Sequence, residues 1–188
     1  MRALATLSGT LIAASALLLA SEAGAQLIIK NPGDHPDFRA ELEPHGLLVP
    51  YGGPFGYNRG FGRYRSFEGG VGFRATIKIV DPVIPKLNNT IGITFGLDLT
   101  SCDYCRYSGS RENFSFWSPV GAQWTFFLTR QWSVFGDVGF VLASDGFYHD
   151  VWASPMFEVG GRWHFKDKIT LTMRVGYPFV TLGVSFFI

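Results

Sequence analysis

The sequence predicts an all-β fold, an eight-stranded antiparallel up-and-down β-barrel that crosses a membrane around a polar, plugged lumen. Three observations carry that expectation. Eight segments alternate apolar and polar residues one by one, the period of a strand with two unlike faces. The chain is aromatic-rich and charge-poor, with 16% aromatic and 16% charged residues against 47% hydrophobic, whereas an ordinary soluble domain carries about 25% charged residues. The polar face of the segments is mainly Gly, Ser and Thr with sparse charges, poor material for a solvated exterior.

The first residues stand outside this fold. Met1-Arg2 is followed by an almost unbroken Leu, Ile and Ala stretch from Leu11 to Ala20, and then by the small residues Ala23-Gly24-Ala25. That is the three-part pattern of a cleaved secretory signal peptide over residues 1–25. The apolar run is shorter than the ~20 residues a spanning helix needs. Residues 26–37 follow as a short periplasmic N-terminal segment, and residues 38–188 form a single barrel domain.

Within the barrel, Thr90 to Thr100 shows the clearest alternation, with Ile91, Ile93, Phe95, Leu97 and Leu99 opposite Gly92, Thr94, Gly96 and Asp98. Phe67 to Val80, Ile169 to Tyr177 and Val180 to Ile188 repeat it. Phe116 to Leu128, Trp132 to Leu142 and Pro155 to Phe165 follow the same rhythm with interruptions. Phe38 to Val49 is expected to set Phe38, Ala40, Leu42 and Leu48 opposite Arg39, Glu41, Glu43 and Leu47, bent or shortened at Pro44 because proline cannot donate to a ladder. The links at 80–89, 129–131 and 166–168 are compact or charged, and those at 50–66, 101–115 and 143–154 are longer. Short turns on one side and long loops on the other suit a membrane barrel with both termini at the short-turn, periplasmic end.

An eight-stranded barrel has room only for interior side chains. The charges assigned inward are Arg39, Glu41, Glu43, Glu68, Arg74, Lys78, Asp98, Asp137, Glu158, Arg162 and Arg174. Both signs are present in near balance, which predicts a structural ion-pair network, since buried charges need partners. A conducting channel would favour one sign. Trp124, Phe126, Trp132, Trp163, Phe165 and Phe186 fall near the short-turn ends, and Phe67, Phe116, Phe157 and Tyr177 near the long-loop ends, as the two aromatic girdles of a membrane barrel do.

The signal peptide, the eight segments and the ending Gly183-Val184-Ser185-Phe186-Phe187-Ile188 resemble small outer-membrane barrels, typified by the membrane domain of outer membrane protein A and by outer membrane protein X. The resemblance covers nearly all of the mature chain. It implies a place in the bacterial outer membrane, contact with its lipid and lipopolysaccharide, and delivery by the barrel-assembly machinery, which is thought to read the chain ending.

Motifs for chemistry are few. Cys102 and Cys105 are the only cysteines. They are expected to form a local disulfide in an outer loop, because an exported chain is oxidised, no helix follows to make a redox site, and a zinc site needs about four ligands. Outer-loop residues Tyr57, Arg59, Phe61, Arg63 and Tyr64 are candidates for contact with lipopolysaccharide phosphates or an envelope protein partner. The glycines around them lack the Gly-Lys-Ser/Thr of a phosphate-binding loop. Of the histidines His35, His45, His149 and His164, only His149 with Asp150 and Ser154 sits where a lipid-modifying hydrolase would need a His–Ser–carboxylate set, and its spacing matches no such enzyme.

No cofactor or metal is expected, and a net charge of +1 argues against nucleic acid. The leading expectation is a non-enzymatic outer-membrane barrel with a structural, adhesion or partner-binding role through its outer loops. The alternatives are a lipid A-modifying enzyme, a soluble periplasmic barrel around an apolar ligand, and a narrow channel.

Overall fold

A computed structural model describes residues 26–50, 67–101, 114–144 and 151–188, and only the backbone of Pro50, Phe67, Glu68 and Trp152. The expected signal peptide therefore lies outside the described residues. Eight strands run in order: β1 (Ala40–Pro50), β2 (Phe67–Val80), β3 (Asn89–Ser101), β4 (Phe114–Phe127), β5 (Trp132–Ser144), β6 (Val151–Lys166), β7 (Ile169–Tyr177) and β8 (Val180–Phe187). Each pairs antiparallel with the next, and β8 closes back on β1. Closure leaves no edge, so the ladder groups of the wall pair within it, as lipid requires.

The pleat turns apolar residues out and polar residues in. Ile93, Val138, Val159 and Leu182 are 47%, 54%, 67% and 57% exposed, while Arg74, Glu158 and Arg174 are 1%, 2% and 0% exposed. A soluble ligand-carrying barrel would show the reverse, so that alternative falls and the fold is that of a transmembrane barrel. Near the short turns, Trp124, Trp132, Trp163, Phe165 and Phe186 face outward, between 38% and 47% exposed.

Strand β1 differs from expectation. It starts at Ala40 and runs through Pro44, which pairs with Phe73 of β2. The β1–β8 pairing instead skips Glu43 and Pro44, with the same register on either side, where proline has no N–H to offer. Arg39, expected in the lumen, is exposed, and Phe38, expected on the lipid face, is buried. Both lie before the first ladder pair, where strand alternation has no hold.

Phe38 is buried because the segment before it folds across the short-turn end. The Ile28 N–H donates to the Leu128 carbonyl at 2.9 Å, and the Asn88 N–H donates to Ile29 at 2.7 Å. Leu27 forms an isolated bridge with Thr129. Ile28, Phe38, Phe127 and Phe187 make an apolar cluster at that mouth, and the His35 ring stacks on Phe127 at 4.3 Å. Asp81, in the β2–β3 link, fastens this cap: it accepts from Lys78 at 2.9 Å and lies 3.2 Å from the His35 ring nitrogen. Partial burial opposes ionisation of Asp81, but the hydrogen bonds and charges of Lys78 and His35 outweigh it and hold its carboxyl below the ordinary 3.8.

A carboxyl with a depressed folded pKa contributes stability above its unfolded value and loses it as pH falls through the folded one. The cap should therefore loosen first as the medium is acidified below the ordinary aspartate range. Hydrogen exchange at the Ile28 and Asn88 amides should accelerate there, and Asp81→Asn should show the same acceleration at neutral pH. Unchanged exchange in both cases would refute the latch.

Candidate functional site

The interior is read most easily along β1, whose inward positions are Glu41, Glu43, His45, Leu47 and Val49 in turn. Successive inward positions lie about 6–7 Å apart along a strand. The residues they meet come from strands on other walls of the barrel.

Nearest the capped mouth, Arg162 of β6 donates through Nε to Glu41 Oε1 at 2.8 Å and through Nη2 to Glu41 Oε2 at 2.6 Å. This is a bidentate, charge-assisted pair, the strongest kind of side-chain hydrogen bond. Nη2 also reaches Gln123 Oε1 at 2.6 Å, and the guanidinium lies 4.0 Å from the centre of the Phe135 ring. One step further, Arg174 of β7 donates to Glu43 and, through Nε, to Asp137 Oδ2 at 3.1 Å. Ser185 donates to the free oxygen of Glu43 at 3.1 Å.

At the third step Arg74 of β2 donates to Glu158 at 2.5 Å and lies 3.9 Å from Asp137 and 3.8 Å from Asp98. Asp137 and Glu158 are directly opposite each other across β5 and β6. Two like charges so placed repel, and Arg74 stands against both. His45 Nε2 is 3.0 Å from Asp98 Oδ1. Gly72 makes the room: a Cβ there would fall 1.9 Å from Asp98 Oδ1 and 2.6 Å from His45 Nε2.

Toward the long-loop end the interior turns apolar. Leu47, Val49, Val141 and Phe179 cluster with Trp117 against them. The indole N–H of Trp117 donates to Thr100 Oγ1 at 3.0 Å, and its ring meets Phe179 edge-on at 5.5 Å. The charged layers thus lie between two apolar clusters.

Of the residues expected in the lumen, Glu41, Glu43, Arg74, Asp98, Asp137, Glu158, Arg162 and Arg174 are all within 3% exposure. Lys78 is a correction. Its ammonium sits at the short-turn rim on Asp81 and Asp37, because its position near the end of β2 lets a long side chain reach water. Only the backbone of Glu68 is described, opposite Val49. Cys102 and Cys105, and Tyr57, Arg59, Phe61, Arg63 and Tyr64, lie outside the described residues, as do His149 and Asp150. Ser154 donates to the Tyr177 hydroxyl at 3.2 Å.

Two features went unread in the sequence. The inward apolar residues were legible by parity: counting in twos from Asp137 lands on Phe135 and Val141. The second is a Ser–His pair, with Ser133 Oγ 2.9 Å from His164 Nε2. Its chemistry is poor. Among the described residues His164 Nδ1 has no hydrogen-bond partner to orient the ring, and the ring stacks on Phe187 at 5.5 Å beneath the apolar cluster. A general base needs both an orienting acceptor and access to substrate.

Arg174 serves two carboxylates, so Arg174→Met should leave Glu43 without a guanidinium and Asp137 with only the longer contact to Arg74, and cost about 3–5 kcal/mol of stability. Asp137→Asn should cost much less, because Arg174 keeps Glu43 and Glu158 loses a facing charge. Urea unfolding in phospholipid vesicles, followed by tryptophan fluorescence, measures both. Equal losses would contradict this sharing.

No protein-family model matches the chain, and no curated protein matches it. Among solved structures, the outer membrane protein Ail of Yersinia pestis in a phospholipid bilayer nanodisc is similar, with 9% sequence identity and a TM-score of 0.47 over 80% of this chain and 99% of that one.

Proposed function

We propose that the protein is a non-enzymatic barrel of the bacterial outer membrane, serving envelope structure, adhesion or partner binding through its long connections. One observation supports this reading: among the described residues the interior holds paired charges, with an apolar cluster on either side of them. Such an interior favours a plugged lumen over a conducting or catalytic one. The strand ends joined by 51–66, 102–113 and 145–150 all lie at one end by strand order, and contact with envelope partners is assigned to these connections. The sequence supports contact there, because Tyr57, Arg59, Phe61, Arg63 and Tyr64 interleave aromatic rings with guanidiniums, groups that suit lipopolysaccharide phosphates or an envelope protein surface. Export through the residue 1–25 signal and insertion by the barrel-assembly machinery complete the reading.

Detergent-extracted protein should migrate differently on a gel before and after boiling and should fractionate with the outer membrane. Planar bilayers should show no conductance steps. Replacing the five loop residues by serine should reduce binding to lipopolysaccharide or to envelope partners without altering the mobility shift. Recovery of the protein in the soluble periplasm would overturn the membrane placement, steady conductance would overturn the closed interior, and altered lipid A in cells dependent on His149 would restore the enzyme reading.

A further inference from the structure

We infer that the short-turn end of the barrel is a binding surface for anionic phospholipid headgroups, formed by Lys30, Arg39, Lys86, Lys166 and Lys168. This rests on the membrane-barrel reading and adds a lipid preference to it. All five residues are exposed. They come from the N-terminal cap, the entry to β1, the β2–β3 link and the β6–β7 turn, all of which the strand order places at one end.

Charge balance at that end is one-sided. Asp34 is taken by Arg130, and Asp37 and Asp81 are taken by Lys78. Among the described residues none of the five cations has a carboxylate within the 4.0 Å of an ion pair. The unpaired anions facing them are Asp167 and the carboxylate at Ile188. Asp37 and Asp81 share one lysine, so the described charges at that end come to seven cations against five anions. The excess is positive, and it rests on the five exposed cations that lack an ion-pair partner, where surface cations normally occur interspersed with carboxylates.

Level and distribution then select the partner. Lys166 and Lys168 directly follow the outward Trp163 and Phe165, and Arg39 pairs through its backbone with Ile188, beside the outward Phe186. Outward aromatic rings mark the edge of the hydrocarbon, so ammonium and guanidinium groups one step beyond them lie at the depth of lipid phosphates. The cations are spread around the barrel, at β1, β2–β3 and β6–β7, rather than gathered on one side. A docked protein would meet one side, whereas a shell of lipids meets all of them. Each basic group near an anionic surface adds to the attraction, and salt screens it.

The test uses the full mature chain in vesicles of phosphatidylcholine, with trace spin-labelled phosphatidylglycerol or spin-labelled phosphatidylcholine. The fraction of each label immobilised at the protein gives their relative association. The labelled phosphatidylglycerol should be favoured by about twofold or more at low salt, and the preference should fall toward unity near 1 M salt, where the screening length is about 3 Å. Substituting Lys30, Arg39, Lys86, Lys166 and Lys168 by Gln should abolish the preference, and the Lys166→Gln/Lys168→Gln pair should remove part of it. The loop arginines Arg59, Arg63 and Arg65 stay intact in these variants. A preference that survives all five substitutions, or none in the unaltered chain, overturns the inference while the boiling-dependent mobility shift stands. Loss of that shift in the unaltered chain would overturn the membrane reading along with it.

Discussion

Burying charge inside a narrow cylinder surrounded by lipid is the constraint on which the rest of this structure depends. Glu41, Glu43, Asp98, Asp137 and Glu158 share the interior with only three arginines, and all eight are nearly inaccessible. Unpaired, any one of them would cost several kcal/mol. The arginines meet the constraint by reaching across the barrel. Arg162 on β6 and Arg174 on β7 both bond to β1, and Arg74 on β2 bonds to β6. Each ion pair is therefore a strut between walls that the backbone ladder does not join directly, and it holds the cylinder's cross-section as well as its charge.

The struts impose a layered interior. Charged groups attract best where water is excluded, and the two apolar clusters supply that exclusion at either end. At the short-turn mouth this required residues from outside the barrel proper, since Ile28 and Phe38 complete a cluster that Phe127 and Phe187 begin. At the other mouth the wall supplies its own, with Trp117 anchored to Thr100 and Phe179 fully buried. Small residues follow from the same need. Gly72 is a glycine because His45 and Asp98 occupy the space its side chain would take.

An interior so committed to holding the fold leaves the ends of the barrel to meet the surroundings. The short-turn end carries an excess of unpaired cations just beyond an outward aromatic belt, and the long connections carry the aromatic and arginine residues of residues 51–66. Rigidity in the wall and chemistry at the rims is the usual division of labour in a scaffold whose loops vary.

The barrel itself could be read from the sequence, because a strand's side chains obey a period of two whatever else surrounds them. Thr90 to Thr100 announces its two faces without reference to any other segment, and the scarcity of charge says which face meets lipid. Most of the lumen residues follow from the same parity. Parity lapses where ladder pairing ends, which is why Phe38 and Arg39 exchanged faces and Lys78 left the lumen for the rim. Which arginine meets which carboxylate was beyond the sequence, since those partners stand up to 131 residues apart, as Arg174 and Glu43 do, and meet only through barrel closure. The sequence alone determined the strands, their faces and the direction of the apolar surface, because these are local consequences of pleat and composition. Only the tertiary structure decided the struts, the two apolar clusters and the cap, because each depends on side chains that meet across a closed cylinder.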